Sequence, residues 1–322
     1  MAEKNESCFR TSIGGQALIE GILMRGPKKQ AIVVRNQDGE LVEKVEDLKL
    51  IKDRYPILGW PLIRGVVNFL AAMVNGVQAL MYSADFYPEE ETDAEPSKFE
   101  QWMERHFSSK KVESVMIGLA TVLGIGLSVL LFLVLPTFLT GGLLHFFPHF
   151  PLWGRNVLEG ILKIVIFMVY LILCSKMKDM KRVFAYHGAE HKTIFCYEAG
   201  LPLTVENVRV QPRHHPRCGT SFLFVVIFVS ILFSSVVFAF WRFTNAGLRT
   251  LVHLALLPLV VAVTYEFNRW VGRHDNALSR FLTAPGMWMQ NFTTNEPDDS
   301  MIECAIRSLE LVIPAEKGSD EW

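Results

Sequence analysis

The sequence predicts a mainly α-helical, polytopic membrane bundle preceded by a small N-terminal β-rich element. Three observations predict it. Half of the 322 residues are hydrophobic and they cluster, with no Asp, Glu, Lys or Arg anywhere in 114–154. Four runs are long and apolar enough to be membrane spans, which need about 20 residues to cross a hydrocarbon core of roughly 30 Å. Residues 11–45 instead carry glycines, β-branched residues and a turn in strand-like order.

Within 11–45, Gly14, Gly15 and Gly21 stand where tight turns or close backbone approach are needed. Residues 31–35 read as a strand, Asn36-Gln37-Asp38-Gly39 as a turn, and Leu41-Val42 as the start of the returning strand. In 57–84 the only charge is Arg64. On a helix, Arg64, Asn68, Asn75, Gln78 and Tyr82 form a narrow polar stripe opposite Val66, Phe69, Leu70, Met73, Val77 and Leu80. That pattern suits an amphipathic helix at the interface or a re-entrant one. The interface is favoured, because a full span would move residues 1–56 outside. The acidic, Pro-flanked run 88–97 reads as a solvated linker.

The four spans are 114–135, ended by Pro136; 157–177, with Glu159 and Lys163 spaced to pair on one face; 218–241; and 251–267. The expected organisation is therefore 1–56, a cytoplasmic β-rich element; 57–113, amphipathic helix and linker; 114–177, spans one and two; 178–217, a cytoplasmic loop; 218–267, spans three and four; and 268–322, a cytoplasmic tail. Orientation follows from Lys and Arg. The connection 175–217 holds eight, against one in 140–156 and two in 242–250, which places 175–217 and both termini in the cytoplasm. The polar N-terminus, residues 1–10, has no signal-peptide h-region.

The 32 basic and 33 acidic residues nearly cancel, so there is no electrostatic case for nucleic acid. Five irregularly spaced cysteines argue against a disulfide framework and for reduced thiols.

Loop 178–217 carries the chemistry. His187-Gly188-Ala189-Glu190-His191 puts two imidazoles at i and i+4 on one helix face, as two ligands of one metal would be. Its order, H-x-x-E-H, is also that of metalloproteases in which the acid beside the second His is the general base, a role that falls here on Glu190. Glu198 lies eleven residues after His187 on the same face, before Gly200 and Pro202 close the helix. His214-His215-Pro216-Arg217-Cys218 then leads into span three. Topology brings Glu266, at the end of span four, to a similar depth. The expected ligands are His187, His191, Cys218, Glu198, His215 and Glu266 around one divalent ion, with zinc the ion that imidazole and thiolate together favour. Glu20, Arg25 and residues 293–297 are further candidates for the lining.

These strings resemble the bacterial YqhQ family, multi-span membrane proteins of unknown function that have been predicted to be metal-dependent enzymes. The likeness runs close to full length. It is carried by Gly14-Gly15-Gln16-Ala17-Leu18-Ile19-Glu20-Gly21, Met24-Arg25-Gly26-Pro27, His187-Gly188-Ala189-Glu190-His191-Lys192, His215-Pro216-Arg217-Cys218-Gly219-Thr220-Ser221, Pro285-Gly286 and Thr293-Thr294-Asn295-Glu296-Pro297. It implies a multi-pass protein of the bacterial cell membrane and metal dependence, but no substrate.

Three functions are open at this point. One is a metal-dependent hydrolase acting on a lipid or peptide at the cytoplasmic face, among membrane lipids. The second is a non-catalytic transporter or assembly factor with a structural metal. The third is a Cys218–His215 nucleophile pair for acyl transfer. Oligomeric state is not legible. The orientation predicts that reporter fusions at Pro148 and Asn245 read external and one at Asn207 reads cytoplasmic. An external Asn207 would overturn the placement of the candidate site.

Overall fold

The computed structural model describes residues 9–48, 54–87, 109–147, 149–241, 245–274, 276–316 and 318–321. Cys8 and the acidic run 88–97 lie outside the described residues. The chain divides into two compact units, one of Met1–Tyr87, Val169–Ser230 and Leu257–Trp322, the other of Pro88–Met168 and Ile231–Leu256.

The first unit opens with a four-stranded antiparallel meander: β1 (Gly14–Leu18), β2 (Gly21–Arg25), β3 (Lys29–Arg35) and β4 (Leu41–Asp47), paired in that order. The expected turn at 36–39 is present. Gly39 takes φ +85°, where a side chain would be strained, and its N–H donates to the Asn36 carbonyl at 3.0 Å. The β1–β2 turn needs a left-handed residue too, and Glu20 supplies it at φ +49°. Its carboxylate holds Arg182 and accepts from the Tyr186 hydroxyl, so the turn is tied to a distant helix rather than to Arg25.

Both faces of the sheet are covered, which is why β2 and the middle of β3 read as continuous apolar runs. Ile22, Met24, Ala31 and Val33 pack with Ala185, Tyr186, Ala189 and Ile194 of α5 (Lys178–Glu198) and with Met301, Ile302, Ala305 and Leu309 of α10 (Asp299–Glu310). On the opposite face Leu18, Leu23, Ile32 and Val34 pack with Ala79 of α1 (Ile63–Ala84). The Asp298 carboxylate caps α10 by accepting from the Met301 N–H at 3.0 Å.

Among the described residues, five helical stretches are long and apolar enough to cross a membrane, as a multi-pass protein requires: Ile63–Ala84, Gly118–His145, Trp153–Lys176, Phe222–Phe240 and Ala246–Arg273. The corresponding helices are α1, then α2 (Ser109–Val129) and α3 (Leu135–His145), α4 (Leu152–Lys176), α7 (Gly219–Phe240) and α8 (Ala246–Arg273). Between α5 and α7 lies the short α6 (Val205–Arg209), and α9 (Ala277–Thr293) precedes α10.

Two expectations need correction. Pro136 does not end its span. A π-helical turn, Leu130–Val134, carries the chain into α3, with Pro136 in the first turn of that helix directly after the π turn. The fourth apolar helix is longer than 251–267, because α8 starts five residues earlier and ends six later. On α1, Asn68 and Gln78 of the polar stripe are exposed. The buried line is Gly65, Gly76, Ala79 and Ser83. Small residues win there because a Cβ on Gly65 would lie 2.9 Å from Tyr265 and one on Gly76 would lie 2.5 Å from the Gln16 amide.

In the second unit, the expected Glu159–Lys163 pair forms at 3.2 Å but belongs to a larger buried network. Glu159 also accepts from Arg249 (2.8 Å) and the Thr137 hydroxyl (2.8 Å) and meets the His253 ring at 2.8 Å. Arg249 reaches Asn156 at 3.1 Å and lies over the Phe238 ring. One carboxylate thus answers several groups that would be costly alone in hydrocarbon.

Helix α5 is fixed by close packing at Gly188, where any Cβ would collide with the Asn295 carbonyl. Gly188→Ala is expected to destabilise the first unit by about 1–3 kcal/mol, seen as a lower melting temperature in detergent. Gly118→Ala, whose Cβ meets open space, should leave the melting temperature unchanged or raise it.

Candidate functional site

Burial of Ala185, Tyr186, Ala189 and Ile194 fixes the rotation of α5 and sets the direction of His187, Glu190 and His191. These three, with Cys218 at the entry to α7, line a cavity of about 790 Å³ that continues over Gly14 and Gly15 of β1 to Arg25. Donor atoms of His187, His191 and Cys218 all lie within 4.8 Å of one another.

The tautomers follow from the second contact of each ring. His187 Nδ1 lies 2.8 Å from the Thr293 carbonyl, and His191 Nδ1 lies 2.6 Å from the Arg213 carbonyl. A carbonyl only accepts, so each Nδ1 donates and carries the proton. Each Nε2 is then left to face the cluster, an arrangement common among metal-binding histidines. His187 Nε2 lies 3.1 Å from Cys218 Sγ, and the two histidine rings are 4.4 Å apart.

Glu190 is the buried acid beside this group. Its Oε1 accepts from the Gly15 N–H at 2.9 Å, while Oε2 is buried without a hydrogen-bond partner. Gly15 must be glycine for this contact. A Cβ there would stand 2.6 Å from the Leu23 carbonyl and 3.0 Å from the Glu190 carboxyl carbon.

Burial raises the Glu190 carboxyl, and although His187 and His191 pull it back it stays above its ordinary value. Burial pushes the His187 imidazole down, but the Cys218 sulfur, Glu190 and the Thr293 carbonyl outweigh this and hold it up at about 9. His215 is pushed down to about 4 by burial and by the Arg217 and His191 charges, against the pull of Glu198. Its imidazole is therefore neutral at neutral pH.

The other expected ligands are elsewhere. Glu198 accepts from the Thr11 N–H at 2.9 Å and pairs with Arg217. His215 lies beside that pair, 3.9 Å from Glu198 and 3.2 Å from Arg217, with its ring 5.5 Å from that of His191. Together they form a polar layer behind the three donors. Glu266 is bound bidentately by Arg64, at 2.7 and 2.5 Å, and does not line the cavity. Similar depth at the ends of two spans did not bring it to the same site, because an arginine on α1 is nearer. The Cys218–His215 pairing is also replaced, since the thiol faces His187.

Residues 293–297 do serve the site. Thr293 orients His187, Asn295 backs Gly188, and Glu296 pairs with Lys192 at 2.7 Å. Sequence reasoning missed Gln290. Its side-chain amide accepts from the His215 N–H at 2.7 Å and donates to the His215 carbonyl at 2.8 Å, clamping the loop before Cys218. A glutamine within an apolar helix face is the one signal that could have raised it. The Thr293 and Arg213 carbonyls left no signal, because every residue has one.

Burial raises the Glu198 carboxyl, but His215 and Arg217 overcome it and hold it below its ordinary 4.5. A depressed acid stabilises the fold above its unfolded value, and that stabilisation is lost as pH falls through the folded value. Glu198→Gln should thus cost roughly 3–5 kcal/mol at pH 7, by leaving Arg217 buried and uncompensated. As the pH is lowered from 7 to 3, the gap between the melting curves of the two proteins should stay constant down to about 4.5 and then begin to close.

A match to the family described as protein of unknown function (DUF1385) covers residues 60–315. A Bacillus subtilis (strain 168) protein described as Uncharacterized protein YqhQ is 32% identical over 316 residues, spanning 96% of this chain and 94% of its own. No solved structure matches the chain.

Proposed function

The chain belongs to the DUF1385 family, to which the YqhQ resemblance already pointed; that membership assigns no chemistry, and from the site itself we propose a metal-dependent hydrolase working at the cytoplasmic surface of the bacterial cell membrane. The observation that carries this reading is Glu190, a buried acid with one oxygen pinned by the Gly15 N–H and the other unpartnered, beside three metal-type donors in an open cavity.

His187, His191 and Cys218 would hold one divalent ion, zinc being the best match to two imidazoles and a thiolate. The donor set fits, since both Nε2 atoms face Cys218 and both Nδ1 protons are spent on carbonyls. Three protein ligands beside a cavity suit a catalytic site, which keeps a position open, better than a closed structural one. When bound, the ion supplies Lewis acidity and makes a neighbouring water a stronger acid. Glu190 takes the proton of that water at Oε2 and returns it to the leaving group, a task its raised carboxyl suits. The Gly15 N–H keeps the carboxylate aimed, and the Gln290 clamp keeps Cys218 in place.

Placement supports the same reading. The sheet and α5 share one hydrophobic core, so residues 14–47 and 178–198 lie on one side of the membrane. The chain between them must cross an even number of times. The runs 118–145 and 153–176 are more apolar than 63–84, which supports reading them as the two crossings and α1 as an interfacial helix. Its outward residues, Leu70, Met73, Val74, Val77 and Leu80, are exposed apolar side chains suited to that position, and Trp60 stands just before it. Four spans result, with both termini and the site on the side bearing the eight basic residues of 175–217.

A second reading has one contact in its favour. Cys218 Sγ and His187 Nε2 at 3.1 Å could act as a nucleophile and its base. It requires activity to survive removal of metal and to be abolished by alkylation of Cys218.

Metal analysis and complementation of a deletion strain test the hydrolase. Purified wild-type protein should hold about one divalent ion per chain, and His187→Ala and Cys218→Ala should lose it. Glu190→Gln should keep the ion and lose about 10²–10⁴-fold in activity, the typical contribution of a general base. A Glu190→Gln protein that holds its metal and complements fully would falsify the catalytic role and leave a structural metal in an assembly factor or transporter.

A further inference from the structure

The cavity runs from the three donors, over the edge strand β1, to Arg25. Gly14 pairs with Arg25 across β1 and β2, and a Cβ at Gly14 would meet nothing, so the space beside the guanidinium is open. Arg25 makes no hydrogen bond or ion pair among the described residues. It is half-buried, and burial holds its guanidinium below its ordinary value. A second cavity, of about 870 Å³, meets the first at Arg25 and adds Arg64 and Arg269. Arg64 is committed to Glu266. Two acids also line it: Glu46, which Lys44 (3.0 Å) and the Gln30 amide (2.9 Å) already engage, and Asp47. That leaves two guanidiniums, Arg25 and Arg269, against the single carboxylate of Asp47, a balance that still favours an anion.

Two of the hydrophobic helices supply the opposite wall of the first cavity, which is apolar apart from Asn75 of α1. Ala72 of α1 and Leu223 of α7 line the first cavity, and Phe69 and Phe222 meet beside them with ring centroids 6.2 Å apart. A soluble anion would have no use for that wall. A lipid would use both: its head at a basic pocket at the membrane surface, its tail along helices already in contact with hydrocarbon.

We propose that the molecule acted upon is a phosphate-headed lipid of the cytoplasmic leaflet, whose phosphate is held by Arg25 while its apolar part leaves between α1 and α7. The inference deepens the hydrolase reading and rests on it for what happens after binding. Arg25 is the anchor, and Gly14 is the small residue that leaves the space beside it open toward Glu190.

The test is retention of lipid by full-length protein in detergent, read by native mass spectrometry with chelator present throughout. An absent metal, which would sink the hydrolase reading, then leaves this measurement readable. The probes are phosphatidic acid, diacylglycerol of the same chains, inorganic phosphate, and an acidic peptide. Wild-type protein is expected to retain phosphatidic acid about tenfold over diacylglycerol, and Arg25→Gln to lose that preference, with Arg25→Lys intermediate. Unchanged melting temperatures would certify the variants as folded. Should Arg25→Gln prove unstable, competition on wild type decides instead. Inorganic phosphate in excess should displace the lipid only partly and the peptide not at all. Equal retention of diacylglycerol, full retention by folded Arg25→Gln, or complete displacement by phosphate or peptide would each overturn the proposal.

Discussion

Two backbone carbonyls, those of Thr293 and Arg213, govern the site. Each takes the Nδ1 proton of one histidine and so turns the opposite nitrogen toward Cys218. Neither carbonyl is free to wander. Thr293 ends α9, two residues before Asn295, which packs on Gly188 and donates its N–H to the Phe184 carbonyl. Arg213 lies in the segment that Gln290 clamps and that Lys192 ties down through the Arg209 carbonyl. Helix α9, the loop and α5 are locked together, and the direction of the two imidazoles is a consequence of that locking.

The N-terminal sheet has a double role. One face completes the core under α5, and its edge strand supplies the Gly15 N–H that aims Glu190. The other face receives the small-residue line of α1. A helix whose small residues point at protein and whose large apolar residues point outward inverts the usual soluble pattern, and it makes sense where the outside is lipid. This sheet thus ties α5 and α1 together through its two faces.

Polar groups are arranged differently in the two units. Around the candidate site they leave gaps, including the unpartnered Glu190 Oε2 and the uncommitted Arg25. Around Glu159 the groups close on one another, with Lys163, Arg249, His253 and Thr137 sharing a single carboxylate. A closed network of this kind holds helices in register at the desolvation cost of its charges, while an open one leaves capacity for something else to bind.

Much of this was legible in residue order. Apolar runs locate membrane helices because hydrocarbon imposes a length on any span. The 36–39 turn followed from its glycine, and the pairing of His187 with His191 followed from the helical repeat. Each of those inferences needs only neighbours in sequence or a uniform solvent. What sequence could not assign was which distant group meets which. Glu266 had the right depth and chemistry, yet Arg64 takes it. Cys218 had His215 nearby in sequence, yet faces His187, thirty-one residues away. Pro136 looked like a terminus, yet the helix runs on past it after a π turn. Spacing along a chain fixes direction only within one helix or strand. Between elements, direction is set by how their buried faces pack, and that was decided in the tertiary structure by residues such as Ala189, Gly76 and Gly188, whose small size carries no chemical signature in the sequence.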